Sequence, residues 1–191
     1  MDNPLEKMLI QEMPQTEEDF SLEIFRVISF KPGYHYKIHS HKRIELNYIL
    51  HGNCTMMLEN ELVKLNKNNS IFILPGSRHD FYVSSKTGIK MVQLEFQMEE
   101  RIVNALKEKL NSELPLLPPP DSRNKTYYKI PNNPEVRDCM ERIILEKKLK
   151  RTNHQELTHI YFLELIILLS RHINQQSQDA FQAENTCIKK A

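Results

Sequence analysis

The chain has 191 residues, in which 26 Lys and Arg balance 25 Asp and Glu to give a formal net charge of +1. Hydrophobic residues make up 40% and charged residues 27%, which is typical of a globular protein with a substantial core. The near-neutral charge argues against a nucleic-acid-binding surface in this segment, so any contact with DNA has to come from another domain. The cysteines are widely separated, at Cys54, Cys139 and Cys187, which argues against a disulfide framework and a cysteine zinc site.

No sequence feature indicates export or a membrane. Residues 1–20 carry a short apolar run followed by an acidic cluster, so we expect an N-terminal arm rather than a signal peptide. The longest apolar run, Ile160–Leu169, is broken by Glu164 and is too short to span a bilayer. We therefore expect a cytoplasmic protein without a membrane partner.

Residues 21–98 have the pattern of a β domain. Ile24, Ile28 and Phe30 alternate with other residues at a period of two, which predicts a half-buried strand, and Arg26 shares their face. Many short strands at regular spacing predict an all-β sandwich or barrel. Further strand-like runs, separated by turn residues, are Glu45–Leu50, Cys54–Leu58, Leu62–Leu65, Ser70–Leu74, Phe81–Val83 and Ile89–Phe96.

Residues 99–174 change to a helical pattern interrupted by a proline-rich connector at 111–132. Ile102–Leu110 predicts a short amphipathic helix. Asn133 and Pro134 predict the N-cap and first position of a second helix. A third helix is expected from Asn153 to Asn174, and the polar residues 175–191 are expected to form a linker.

The third helix carries apolar residues on more than one side, so it is expected to be deeply buried or shared with a second subunit. One stripe could form a dimer seam, and packing against the barrel is an equal alternative. The stripe consists of Leu157, Tyr161, Leu165 and Leu168.

One spacing carries chemical information: His39, His41 and Glu45 lie between Gly33 and Gly52. Positions two or four apart share a strand face, so these side chains are expected to point into the barrel together, with His79 joining them from a neighbouring strand. Three imidazoles and a carboxylate can bind zinc, iron, manganese or nickel. The alternative, which we favour from the sequence alone, is that these groups hydrogen-bond in the barrel mouth without a cofactor.

The stretch from Gly33 to Gly52 resembles the first cupin motif, and Pro75 to His79 resembles the second imperfectly. The resemblance covers residues 22–96 and implies a mainly β fold, a cupin-like double-stranded β-helix (a jelly-roll barrel) followed by C-terminal α-helices. A single barrel, two helices and a polar linker in this order resemble the N-terminal half of AraC-family transcription regulators. In that family the barrel binds a small-molecule effector, the helices mediate dimerisation, and a C-terminal domain binds DNA.

The resemblance implies an effector-sensing, homodimeric domain whose contact with DNA is made only by a domain beyond residues 175–191. A metal-dependent cupin enzyme, an isomerase or dioxygenase using the three histidines and Glu45, is the main alternative, and a sugar-binding or storage cupin is another. Arg43 is expected to be a solvated surface residue. The residues expected to bind the effector are His39, His41, Glu45, Asn47, His79, Tyr36, Arg26 and Arg78.

Overall fold

The computed structural model describes residues 22–97 and 126–188, and within them nine strands precede two helices. The strands are β1 Leu22–Phe30, β2 His35–His39, β3 Ile44–His51, β4 Asn53–Leu58, β5 Glu61–Asn66, β6 Ser70–Ile73, β7 His79–Val83, β8 Ile89–Phe96 and β9 Tyr127–Ile130. The helices are α1 Pro134–Leu149 and α2 His154–Ile188. Among the described residues, the β unit ends at Asn132 and the helical unit begins at Asn133.

The strands form two antiparallel sheets with the orders β1-β8-β3-β6-β9 and β2-β7-β4-β5. Strands that are adjacent in sequence often lie in opposite sheets, as β2 and β3 do, which is the crossing pattern of a jelly roll. The predicted class, a mainly β cupin-like barrel followed by helices, is confirmed.

The core lies between the two sheets. Ile49, Ile71 and Met91 come from the larger sheet, and Met56 and Leu65 face them from the smaller one, all at most 4% exposed. Burying a side chain of this size stabilises the fold by about 1.5–3 kcal/mol. This apolar packing fixes the two sheets against each other and so fixes the residues at the polar end of the barrel.

Gly52 is required where β3 turns into β4. Its φ is +79°, a left-handed conformation that residues with a Cβ rarely adopt. A Cβ at this position would lie 2.1 Å from the carbonyl oxygen of Gly88. The last glycine of the sequence motif is therefore explained by both the turn and the close approach of two backbones.

The prediction that residues 111–132 contain only a loop or connector was wrong at its C-terminal end. Tyr127–Ile130 forms β9 and pairs antiparallel with β6 at the edge of the larger sheet. The aromatic and β-branched residues of this short run favour a strand, and both Tyr128 and Ile130 are buried. The surrounding prolines hid that signal, although Pro131 lies just outside the strand, where it costs no ladder hydrogen bond.

The helical unit begins as predicted but extends further. The Asn133 side chain accepts a hydrogen bond from the backbone N–H of Val136 (3.1 Å), so the predicted N-cap is confirmed. The expected end of the last helix at Asn174 was wrong, because α2 continues to Ile188 through residues expected to form a linker. That stretch contains no glycine or proline, and its Gln, Glu and Ala residues are good helix formers. The expected arm at 1–20 and the short helix at 102–110 lie outside the described residues.

Candidate functional site

The four residues singled out by the motif converge at one end of the barrel. His39 ends β2, Glu45 lies near the start of β3, and His79 begins β7, with His41 in the connection between β2 and β3. One nitrogen or oxygen atom from each residue lies within 4.8 Å of the corresponding atom of every other. Both sheets contribute, so the fold has to form before these groups can meet.

The expectation that these residues converge because they share one face of a strand was wrong in part. His39, His41 and Glu45 do not share the face of one strand, because the chain leaves β2 after His39 and turns before β3 begins. His39 instead lies opposite His79 in the β2–β7 pairing. The turn then returns the chain so that His41 and Glu45 approach the same point from the other sheet.

All three imidazole rings are oriented by the backbone. A carbonyl oxygen only accepts hydrogen bonds, so each ring nitrogen that faces one carries its proton. The other nitrogen, Nε2, is left as the atom available to the cluster. Each histidine donates from Nδ1 to the carbonyl oxygen of a residue two positions away: His39 to Lys37 (3.1 Å), His41 to Arg43 (2.9 Å) and His79 to Ser77 (3.0 Å).

Glu45 is the anionic centre of the cluster and is only 3% exposed. Its Oε2 lies 2.6 Å from His41 Nε2 and 3.3 Å from His79 Nε2, while its Oε1 accepts a hydrogen bond from Asn47 Nδ2 at 2.5 Å. Burial raises the pKa of Glu45, but the groups on His41, His79 and Asn47 outweigh burial and hold the pKa well below its usual range. Glu45 is therefore a carboxylate at neutral pH.

The histidines differ in protonation. The hydrogen bond to Glu45 raises the pKa of His41, an effect larger than the opposing effect of burial. Burial, followed by the proximity of His79, lowers the pKa of His39. The cluster therefore combines a carboxylate, an imidazole that holds a proton against it and an imidazole that stays neutral.

The residues present can accommodate a divalent metal ion. His79 is 1% exposed and its buried Nε2 makes no hydrogen bond, although it faces Glu45. Metal-binding histidines donate the N–H of their non-ligating ring nitrogen to a carbonyl or carboxylate oxygen, as His79 Nδ1 does to Ser77. Tetrahedral ligands at about 2.1 Å from an ion lie about 3.4 Å apart. The ligand atoms here lie within 4.8 Å of one another, and His41 Nε2 and Glu45 Oε2 are 2.6 Å apart, so the side chains would have to adjust their positions around an ion. The ligand types suit zinc, iron, manganese or nickel.

A family model described as an AraC-like ligand binding domain matches residues 22–184. The chain belongs to this family. No curated protein matches it. Within the described residues, no helix is both long and apolar enough to cross a membrane.

Several solved structures resemble parts of this AraC-like ligand-binding domain. A cupin superfamily protein from Desulfitobacterium hafniense is 16% identical, with a TM-score of 0.39, over 47% of this chain and 75% of that protein. A predicted oxalate decarboxylase from Thermotoga maritima is 20% identical, with a TM-score of 0.38, over 39% of this chain and 66% of that protein. A pirin from Escherichia coli in complex with nickel(II) is 19% identical, with a TM-score of 0.39, over 42% of this chain and 36% of the pirin. The Thermotoga protein and the pirin each extend beyond the part matched here.

Two of the expected effector-binding residues of this AraC-like domain lie on the inner face of the larger sheet. Asn47 follows Glu45 on the same face of β3, and Arg26 of β1 faces the same side, because both residues align with Gln93 of β8. Asn47 is 1% exposed, whereas Arg26 is half-buried. Gln93 was not singled out from the sequence, although the strict alternation of β8 could have placed it on the face of Met91.

Tyr36 lies beside the histidines, as expected, whereas Arg78 does not. The Tyr36 ring stacks on Phe81 with centroids 5.7 Å apart and meets the edge of His39 at 4.8 Å. Arg78 is exposed and has no hydrogen bond or ion pair to another described residue. Its position next to His79 in the sequence does not bring it into the cluster, since the neighbouring side chain in a strand-like segment points the other way.

Arg43 was expected to be a solvated surface residue, and that expectation was wrong. Its Nε donates to Glu95 Oε2 at 2.6 Å, and Glu95 is only 5% exposed. Glu95 aligns with Glu45 across β3 and β8, so a second buried carboxylate lies beside the cluster. Arg43 neutralises that carboxylate, and its backbone carbonyl also orients His41.

The proposed dimer stripe on α2 is divided by burial. Leu157 and Tyr161 are half-buried, whereas Leu165 is fully buried and Leu168 is 9% exposed in the single chain. Within the helical unit, Arg142 of α1 forms an ion pair with Glu164 (2.6 Å) and lies 4.7 Å from the Tyr161 ring centroid. An interface with a second copy would therefore have to use Leu157 and Tyr161, the two residues of the stripe that keep some exposure.

Proposed function

We propose that this chain is the effector-sensing and dimerisation domain of an AraC-type transcription regulator that acts in the cytoplasm. A small molecule binds inside the barrel, and DNA is contacted only by another domain. The family match over residues 22–184 and the near-neutral charge support this proposal. The observation that carries it is the buried polar cluster around Glu45, because polar groups left without partners in an otherwise apolar barrel are costly unless a ligand completes them.

We also propose that the cluster holds a divalent metal through His39, His41, Glu45 and His79. The three backbone-oriented rings, and the His79 Nε2 that faces Glu45 at 3.3 Å without a hydrogen bond, support a metal over the metal-free arrangement favoured by the sequence alone. When bound, such an ion would supply a Lewis-acidic centre for an oxygen atom of the effector. The chain's own contribution is to hold Glu45 ionised through His41, His79 and Asn47 and to orient each ring through a backbone carbonyl.

Homodimerisation is proposed through the helical unit. Leu157 and Tyr161 retain exposure on α2, and Ile160 between them is 57% exposed. Covering exposed aliphatic side chains with a second copy removes apolar surface from water and so favours the dimer. Leu165 and Leu168 then support the helix from its buried side rather than forming the seam.

A reporter experiment tests the sensing proposal. The chain is fused to a DNA-binding domain that represses only as a dimer, and repression is measured with candidate effectors added. We expect the fusion to repress, and an effector to change the repression in the natural chain but not in the His79→Gln variant. No repression by the fusion, or an effector response unchanged in His79→Gln, would contradict the proposal. Glu141→Gln, at an exposed position on α1, is the matched control.

A metal-dependent enzyme, an isomerase or dioxygenase, is the second candidate, because the same four residues form a complete set of metal ligands. The metal-loaded chain would then convert a bound ligand or consume oxygen. We expect the loaded chain to return its ligand unchanged after prolonged incubation, as followed by mass spectrometry. Turnover that is lost in Glu45→Gln would favour the enzyme instead.

A further inference from the structure

The turn that joins β6 to β7, residues 74–78, holds two histidines of the cluster. The Ser77 carbonyl accepts the hydrogen bond from His79 Nδ1 at 3.0 Å, and the Gly76 N–H donates to the His41 carbonyl at 2.8 Å. Partners that orient a metal-binding histidine in this way are worth about 10–100-fold in metal affinity. The turn therefore supports the site, although none of the four candidate ligands comes from it.

The same turn is tied to β9 through a single carbonyl oxygen. Thr126, the residue before β9, accepts a hydrogen bond there from the Leu74 N–H at 2.8 Å and another from Ser77 Oγ at 2.9 Å. Ser77 is only 2% exposed, and its own N–H donates back to the Leu74 carbonyl at 3.3 Å. Ser77 thus holds His79 with its backbone and the start of β9 with its side chain.

β9 is a strand that can respond to a change in the turn. It has four residues and lies at the edge of the larger sheet, where β6 is the only described strand that pairs with it. Short elements at an edge open locally at a lower free-energy cost than central strands do. A further hydrogen bond, from the Tyr127 hydroxyl to Glu61 of the smaller sheet, holds β9 without passing through the turn.

β9 also lies where the chain leaves the barrel. It is the last strand of the β unit, which ends at Asn132, and the chain enters α1 at Pro134. A change in how firmly β9 is held is therefore a change at the strand that leads into the first helix.

Ligation of His79 would strengthen the first link of this chain of contacts. Its Nε2 faces Glu45 at 3.3 Å without a hydrogen bond, whereas its Nδ1 is held by the Ser77 carbonyl. An ion bound at Nε2 would fix the ring at both nitrogens and polarise the Nδ1–H, which makes it a stronger donor to Ser77.

We infer that Ser77 is a positioning residue that couples the metal cluster to β9. Ligation of His79 holds the turn more firmly, and Ser77 Oγ passes that restraint to Thr126 and so to β9. This inference rests on the proposed metal site and sensing function, and it assigns the route by which the cluster acts on the strand that leads into α1.

Amide hydrogen exchange, followed by NMR on the 191-residue chain with and without zinc, tests this inference. Zinc alone is the probe, and chelator competition measures its binding. We expect zinc to slow the exchange of the Leu74 and β9 amides by about fivefold or more relative to β1, the low end of coupling between sites. β1 is the other edge strand of the same sheet, so it reports any general stabilisation of the fold. Zinc that binds but slows both strands equally would overturn the inference.

Two variants test the role of the serine hydroxyl. Ser77→Ala keeps the carbonyl that orients His79, so it should still bind zinc, but the selective slowing of β9 should be lost. Tyr127→Phe is the matched control, because it removes the hydrogen bond of β9 to Glu61 and leaves the turn intact. Its β9 amides should exchange faster with and without zinc, and their response to zinc should persist.

Two results would contradict the role of Ser77: selective slowing that survives in Ser77→Ala, or slowing that is lost equally in Tyr127→Phe. If Ser77→Ala does not fold, Ser77→Cys takes its place, since a thiol of similar size is only a weak hydrogen-bond donor.

The outcomes also separate this inference from the metal proposal. A chain that binds no zinc contradicts the metal site, and a double-mutant cycle then decides the coupling in the chain without metal. His79→Leu deletes the donor to the Ser77 carbonyl, so β9 should exchange faster, and adding Ser77→Ala should change the exchange little further. Additive effects of the two substitutions would mean that the residues act independently and would overturn the coupling.

Discussion

The two ends of the barrel interior are built on different principles. At one end the apolar side chains of Ile49, Met56 and Leu65 pack together in the buried core and stabilise the fold. At the other end Glu45 and Asn47 are just as buried, yet polar atoms nearby remain without partners. One set of strands supplies both ends, so the apolar end provides the stability that allows the polar end to stay incomplete. Substitutions at the apolar end should therefore lower the stability of the fold, and substitutions at the polar end should weaken binding.

The largest effect is expected at the apolar end. Leu65 is fully buried, and Leu65→Ala should lower the free energy of unfolding by about 2–5 kcal/mol through lost burial and a cavity. Metal affinity of the folded chain should be unchanged. Leu62→Ala is the matched control, since Leu62 lies on the same strand and is 65% exposed; its cost should stay within about 0.5 kcal/mol. Chemical denaturation measures both, and equal losses for the two variants would contradict the division of the barrel.

The reverse pattern is expected for Glu45→Gln. It removes the anionic ligand while keeping the shape of the side chain, so metal affinity should fall by more than about 100-fold, since even partners of metal ligands cost 10–100-fold. Competition with a chromophoric chelator measures the dissociation constant. The exposed Glu141→Gln variant should bind metal normally. A Glu45→Gln chain that binds as tightly as the natural one would place the ion elsewhere.

The Arg43–Glu95 pair tests whether the polar end contributes to stability at all. Arg43→Gln leaves the buried Glu95 carboxylate without its cation and should cost about 1–2 kcal/mol of unfolding free energy. Adding Glu95→Gln should recover most of that loss, because the buried charge is then removed together with its partner. If the double variant is less stable than Arg43→Gln alone, the pair does not act as a unit.

The sequence predicted the apolar end of the barrel better than the polar end, for a physical reason. Alternation and turn residues specify strands locally, so runs such as Cys54–Leu58 agreed with the structure. The position of His41 in a turn and the burial of Glu95 next to Glu45 depend on which strands become neighbours, and that is a property of the whole fold. β9 was missed because prolines dominated its surroundings. The helical residues after Asn174 were missed because a polar composition was taken as a linker despite good helix propensity.

The residues of the motif between Gly33 and Gly52 meet in the structure, but their spacing alone does not explain how the histidine rings are oriented. Its glycine at Gly52 is required by a left-handed turn, and His39, His41 and Glu45 do meet. The orientation of the three rings, however, is set by hydrogen bonds from Nδ1 to backbone carbonyl oxygens, which every residue type has. Sequence patterns cannot report such contacts, which is why the metal appeared less favourable from the sequence than from the geometry.

The smallest effects expected are those of pH. Metal affinity should rise with pH, whereas the contribution of His41 to the stability of the metal-free chain should fall with pH. Hydrogen bonding to Glu45 raises the pKa of His41, and the proton lies where an ion would bind. Binding has to displace that proton, so affinity should fall by up to about tenfold per pH unit as the pH drops below this raised pKa. In the metal-free chain the raised pKa of His41 contributes stability that is present at low pH and is lost as the pH rises through the folded pKa, whereas the lowered pKa of His39 contributes with the opposite sign.

Chelator competition and denaturation between about pH 6 and about pH 8 measure the two slopes. In His41→Gln the stability slope should flatten, whereas His51→Gln, at an exposed position, should keep both slopes. Metal affinity that stays constant across this range in the natural chain would mean that His41 does not surrender a proton to the ion. The polar end would then be a hydrogen-bonded anchor for Glu45, and the apolar and polar ends of the barrel would differ in composition but not in role.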